Sequence, residues 1–197
     1  MKTGLILAVF ITCISFASMA QTTFGIRGGV NFQNLNGKNE DGSKLSNKLK
    51  TGVNIGVTAD IPVAAPDYFV QSGLLFSSKG AKIERPDIKV NVNYLEIPIT
   101  FLYKPVLGEG RLLLGAGPYF GYAVGGKIGD DDISFDNDFK HFDAGGNLLF
   151  GYQFAQNFSV QLNAQLGLVN IGQNSEDEAT VKNTGFGVSL GYHFSKP

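Results

Sequence analysis

The sequence predicts an all-β protein, an eight-stranded antiparallel up-and-down transmembrane β-barrel. Three observations predict it. A short apolar segment stands at the N-terminus, eight stretches of alternating apolar and small or polar residues follow it, and the non-apolar face of those stretches is unusual. Phe158, Val160, Leu162, Ala164, Leu166 and Leu168 interleave with Ser159, Gln161, Asn163, Gln165 and Gly167. Period-two alternation marks a strand with one apolar face. A soluble sheet usually turns Lys and Glu to bulk water. Amide, hydroxyl and glycine suit a cramped, hydrated interior instead, which leaves the apolar face pointing outward. That inverted pattern belongs to membrane barrels.

The N-terminus agrees with that location. Lys2 supplies a positive charge, residues 4–16 form a short apolar run, and Ser18-Met19-Ala20 offers small residues where a signal peptidase reads. Residues 1–20 are therefore expected to be a cleaved signal peptide and residues 21–197 the barrel domain. The apolar run is too short to span a bilayer as a helix. Cys13 follows Thr12 rather than a small Gly, Ala or Ser, and the apolar run continues past it, which argues against lipid attachment. It is the only cysteine, so a mature chain would hold no disulfide, thiolate nucleophile or thiolate metal site. A formal net charge of −1 argues against nucleic acid as a partner.

The strands are expected at 22–33, 50–63, 68–78, 88–104, 111–127, 141–154, 158–171 and 183–194. The first turns Phe24, Ile26, Val30 and Phe32 outward, and the second Val53, Ile55, Val57 and Ile61. In the third, both Val70/Leu74/Phe76 and Phe69/Leu75 could face lipid. The fourth offers Leu95, Ile97, Ile99, Phe101 and Tyr103; the fifth, Leu112, Leu114 and Phe120. The sixth gives Phe142, Ala144, Leu148, Phe150 and Tyr152, and the last Phe186, Val188, Leu190, Tyr192 and Phe194. Polar connections of 34–49, 129–140 and 172–182, with a shorter one at 79–87, alternate with tight joins at 64–67, 105–110 and 155–157. Long loops outside and short turns inside the envelope is the outer-membrane arrangement, and it puts both termini in the periplasm. Tyr68, Tyr103, Tyr152, Phe154, Phe158, Tyr192 and Phe194 then share one level. Phe32, Phe76, Phe142 and Phe186 share the opposite one, as two aromatic girdles would.

Tyr94-Leu95-Glu96-Ile97-Pro98 resembles the signature of the PorT-like outer-membrane β-barrel domain family, whose members are eight-stranded barrels of the OmpA/OmpX type. The stretches 115–122 and 143–146, and the closing Gly187-Val188-Ser189-Leu190-Gly191-Tyr192-His193-Phe194, are similar to that family's later strands. The resemblance covers essentially the whole mature chain. It implies the fold and the outer membrane, and it is weak for function, although some members belong to secretion machinery.

Eight strands enclose only enough room for their own side chains. Inward positions include Arg27, Asn54, Asp60, Tyr94, Glu96, Asn147, Gln161, Asn163 and Gln165 by parity, and Asp143 near the rim. Arg27 paired with Asp60 or Glu96 would cancel buried charge. A structural polar plug is the expected reading, a gated lumen the sharper one. Asp130, Asp131 and Asp132, with Asp136 and Asp138, offer hard oxygen ligands, yet their spacing matches no calcium loop, and a solvated loop is expected. Glu176, Asp177 and Glu178 are read the same way. Lys38, Lys44, Lys48 and Lys50 could meet anionic lipopolysaccharide or merely keep a loop tip soluble. His141 and Asp143 stand two apart, so an Asp–His pair at the rim is the single catalytic lead.

The expected function is non-enzymatic: a structural, binding or envelope-assembly role through outer loops on a filled barrel, with no cofactor. Expected partners are outer-membrane lipid and lipopolysaccharide, the barrel-assembly machinery during insertion, and an envelope or secretion protein. Competing readings are a narrow channel or transport accessory, a secretion component, a soluble lipocalin-like barrel with an apolar interior, and a rim hydrolase.

Overall fold

The computed structural model describes residues 22–39, 42–63, 66–83, 88–135, 138–173 and 179–194. The expected signal peptide lies outside the described residues. Eight long strands form: β1 (Thr23–Lys38), β2 (Lys50–Pro62), β3 (Tyr68–Ile83), β4 (Ile88–Tyr103), β5 (Gly110–Ile128), β6 (Phe142–Gln153), β7 (Phe158–Gly167) and β8 (Thr180–Phe194). Three two-residue strands, Asn47–Lys48, Val106–Leu107 and Asp131–Asp132, extend the ladders of β3 and β5. Each long strand pairs antiparallel with its neighbours in sequence, and β1 pairs with β8 from Phe24↔Phe194 to Lys38↔Thr180. The sheet closes on itself and leaves no free edge.

The start of β1, the end of β8 and three turns of four to six residues share one end; at the other end, three connections run to 11–13 residues and the β3–β4 join takes four. The tight turns use residues that accept a left-handed backbone. Asn157 (φ 66°) donates to Phe154 O (3.0 Å) between β6 and β7, and Gly108 (φ 62°) bends the chain between β4 and β5. Pro98, inside β4, has no N–H to offer, and the β3–β4 ladder lapses opposite it between Ser72↔Ile99 and Leu75↔Glu96.

Side chains alternate as the sequence predicts. Ile55 (63 %) and Leu190 (65 %) are among the most exposed residues, whereas Lys79, Tyr94 and Asp143 are fully enclosed. A lipocalin-like interior would need the reverse assignment. In β3 the ambiguity resolves: Leu74 and Phe76 face out, Leu75 and Phe69 face in. The outward apolar band on β1 runs from Phe24 to Phe32, about 26 Å of strand at ~3.3 Å per residue. After a tilt of ~40° that approaches the height of an outer-membrane hydrocarbon layer.

Several strands outrun the expectation. β1 continues to Lys38, β3 to Ile83, and β8 starts at Thr180, because beyond the band the hydrophobic side reverses. On β4, Leu95 to Phe101 point outward along the band. Farther toward the long-loop end, Val90 and Val92 point inward while Lys89 is exposed. β1 switches between Phe32 and Leu35, and β8 between Phe186 and Val181. Alternation is preserved while its polarity inverts, so an apolar count finds a strand end where the strand merely changes solvent. β7 is the exception, ending at Gly167 rather than 171.

Candidate functional site

Inward positions fill the lumen in layers. The mouth at the long-loop end is stoppered by an apolar cap of Leu35, Val90, Val92, Ile133, Phe139 and Ile171. Backbone bonds hold its loop residues in place: Ile133 N donates to Gly126 O (3.1 Å), Lys140 N to Ile171 O (2.7 Å), and Ile171 N to Val181 O (2.9 Å).

Beneath the cap lies a charged cluster. Lys79 forms ion pairs with Glu96 and with Asp143 (3.3 Å), its Nζ 4.1 Å from the ring centre of Tyr119 and 5.4 Å from that of Tyr94. Tyr119 Oη and Asn183 Nδ2 donate to Asp143 Oδ2 (3.1 and 2.9 Å), and Asn183 Nδ2 also reaches Tyr94 Oη (3.2 Å). Such charges are tolerated in an enclosed site only when paired and hydrogen-bonded. The Tyr94-Leu95-Glu96-Ile97-Pro98 motif thereby acquires a physical meaning. Tyr94 and Glu96 build the cluster, Leu95 and Ile97 face lipid, and Pro98 lines the lumen.

The middle layer is polar and nearly solid. Arg27 donates to Gln161 and Asn163 (3.3 Å each), Asn54 to Asn31 (2.6 Å), and Ser189 to Asn54 (3.2 Å). A cavity of about 30 Å³ remains among Arg27, Gln33, Ser77 and Asn163, room for very few waters. Toward the termini, Asp60 accepts from Gln71 and Lys104 (2.8 Å each) and lies 3.5 Å from His193 Nε2. Leu102, Leu113 and Leu149 pack with Phe69 at the same end.

The lumen thus joins Tyr94, Glu96 and Asp143 in one cluster and leaves Asp60 in another. Arg27 pairs with neither Asp60 nor Glu96, and the charge balances through other partners. Arg27, Lys79 and Lys104 stand against Asp60, Glu96 and Asp143. Lys79 and Lys104 are inward residues beyond those the sequence predicts, because its pattern opens a loop at 79 and ends a strand at 104. Parity was the available signal: Lys79 falls in step with Leu75 and Ser77, and Lys104 with Thr100 and Leu102.

The rim pair does not form. His141 precedes β6, and its ring stacks on Phe135 (4.2 Å) and Tyr122 (4.8 Å) while Nδ1 donates to Ala123 O (2.9 Å). Asp143 is enclosed with Lys79. The acidic loop offers no converging ligands either. Asp131 and Asp132 are consecutive in an extended strand and diverge, Lys127 lies 3.9 Å from Asp132, and Asp138 accepts from Ser134 N (2.9 Å). Among the described residues no three acidic, His or Cys side chains form a metal-binding group. Asp136 and residues 176–178 lie outside the described residues. Lys38 ends β1, Lys48 lies in a short strand, and Lys50 starts β2, its Nζ donating to Asn91 Oδ1 (2.8 Å).

Among solved structures the chain is similar to the outer-membrane enzyme PagL, at 10 % identity and a TM-score of 0.56, covering 85 % of this chain and 98 % of that one. It is also similar to Neisserial surface protein A, at 13 % identity and a TM-score of 0.51, over 87 % of this chain and 97 % of that one. At these identities the likeness shows the fold alone. No curated protein matches the sequence. The model of the outer membrane protein beta-barrel domain matches residues 18–173, most of the chain. A closed eight-stranded barrel with an outward apolar band, matched over that length, belongs to the outer-membrane β-barrel domain family.

Proposed function

We propose that this protein is a non-enzymatic scaffold of the outer membrane that passes no solute and works through the surface of its long-loop end. The observation that carries this reading is the filled lumen. The Lys79–Glu96–Asp143 cluster is sealed beneath an apolar cap, and only about 30 Å³ stays open in the middle layer. An eight-stranded wall leaves no bypass around such a plug. The divergence of His141 from Asp143 removes the rim-hydrolase geometry suggested by the sequence.

In this reading the termini are periplasmic, residues 1–20 are the export signal, and the long connections face outward. The barrel-assembly machinery inserts the chain, and an envelope protein or surface glycolipid meets the long-loop end. The resemblance of residues 94–98 to PorT-like barrels supports the same role, since Tyr94 and Glu96 of that motif help close the lumen.

Purified full-length protein in planar bilayers tests the reading. The expected outcome is a baseline without discrete openings, together with a band on cold SDS gels that shifts on boiling. Openings that scale with the amount of folded protein would make it a channel.

A further inference from the structure

We propose that the outer wall where β7, β8 and β1 meet binds the phosphate of an anionic glycolipid in the outer leaflet. A cleft of about 490 Å³ opens there, lined by Lys38, Lys44 and Lys182 together with Thr180 and Leu166, and among the described residues none of its lining is acidic. The register forces the lysines together. Lys38 and Lys44 face each other across an isolated antiparallel bridge. Lys38 also pairs with Thr180 and Asn36 with Lys182, which puts Lys182 one diagonal step from Lys38 on the same face. None of the three has an ion-pair partner among the described residues. Like charges directly opposed in a sheet repel, and a bound polyvalent anion would relieve that repulsion.

Depth selects a lipid as the source of the anion. Leu166, 57 % exposed, pairs with Thr184 on β8, the outward position next to Lys182. Exposed Phe186 and Val188 continue the apolar surface downward. The lysines therefore stand at the upper edge of the hydrocarbon band, where acyl chains can lie along Leu166 and Phe186 while a phosphate enters the cleft. Lys38 N donates to Thr180 Oγ1 (3.2 Å), which leaves the Thr180 hydroxyl hydrogen for an anion oxygen.

The inference rests on the long-loop end facing outward, which is tested separately. Thiol labelling of a Ser46→Cys chain in intact cells, against the unsubstituted chain, should mark it from outside. Labelling only after permeabilisation would overturn the assignment to the outer leaflet whatever binds.

Binding is read by native mass spectrometry of the detergent-solubilised barrel with bis-phosphorylated or dephosphorylated lipid A. The phosphorylated form should be retained preferentially. Each single Lys→Gln change should weaken retention about fivefold, and K38Q/K44Q/K182Q roughly a hundredfold, given the usual contribution of one lysine near an anionic surface. K89Q/K127Q/K140Q, at the same end but off the cleft, should retain the lipid within about twofold. Equal retention of both lipids, or equal losses in the two triple variants, overturns the proposal. Displacement of lipid A by inorganic phosphate at equal concentration would reassign the cleft to a soluble phosphate and overturn the lipid as its source. Boiled and unboiled gel mobility establishes that each variant is folded, and the single variants carry the test should the triple fail to fold.

Discussion

Lys79 bears the heaviest electrostatic duty of any residue in the barrel. Fully enclosed, it neutralises two carboxylates that would otherwise repel each other near the middle of a low-dielectric wall. Lys79→Met should therefore cost about 3–5 kcal/mol of barrel stability, as expected when one partner of a buried pair is removed. Urea unfolding in detergent, followed on cold gels, measures it. Glu96→Gln should cost less, because Lys79 keeps Asp143 and Gln165 lies within 3.4 Å of the substituted group. Replacing Lys79, Glu96 and Asp143 together by apolar residues of similar volume should recover most of the loss. If the triple variant is no more stable than Lys79→Met, the cluster acts through more than charge balance. At this scale the sequence disclosed membership better than partnership. Parity puts Arg27, Asp60, Tyr94, Glu96 and Asp143 inside, but which cation meets which carboxylate depends on stagger across strands far apart in sequence, and one residue of register changes it.

At the scale of the strand, the face decides the cost of a change. Leu162 sits midway along β7, outward, between Phe150 on β6 and Val188 on β8. Leu162→Arg should destabilise the folded barrel by about 2–4 kcal/mol, the penalty of a cation near the lipid midplane. Refolding titrations into lipid vesicles would show it. The adjacent Gln161→Asn, on the lumen side, should lose Arg27 as a partner and cost about 1 kcal/mol. Equal costs at the two positions would mean that β7 does not present Leu162 to lipid. Strand existence and facing were legible wherever alternation was strict, as in β4 and β7. Strand length was not, because Leu35 on β1, Ala81 on β3 and Val181 on β8 continue the ladder with the apolar side turned inward. β3 could not be oriented from sequence because Phe69, Val70, Leu74, Leu75 and Phe76 put bulky apolar groups at both parities.

For the whole molecule, two independent seals close the lumen. The cap at the mouth and the Leu102, Leu113, Leu149 and Phe69 cluster near the termini lie on opposite sides of the polar middle. Opening the cap alone should not make a pore. Phe139→Ser combined with Ile171→Ser should leave the planar-bilayer baseline silent while making the mouth more accessible to apolar dyes. Conductance in that variant would mean that the lower layers leak. Closure itself was readable in outline, from an even number of strands and an aromatic C-terminal strand. The cap was not, since Ile133 and Phe139 sit in a segment whose composition reads as solvated loop, and Ile171 falls at the end of an expected strand that stops short at Gly167.

The reversal of polarity along β1, β4 and β8 has a further consequence. Each wall carries its greasy side outward below a fixed line and inward above it, so raising the barrel by a few ångströms would put lipid-facing leucines in water, and sinking it would drive Lys38, Lys89 and Lys182 into oil. Both displacements are opposed at once. The molecule should keep its depth when bilayer thickness changes, and force the surrounding lipid to stretch or thin around it instead.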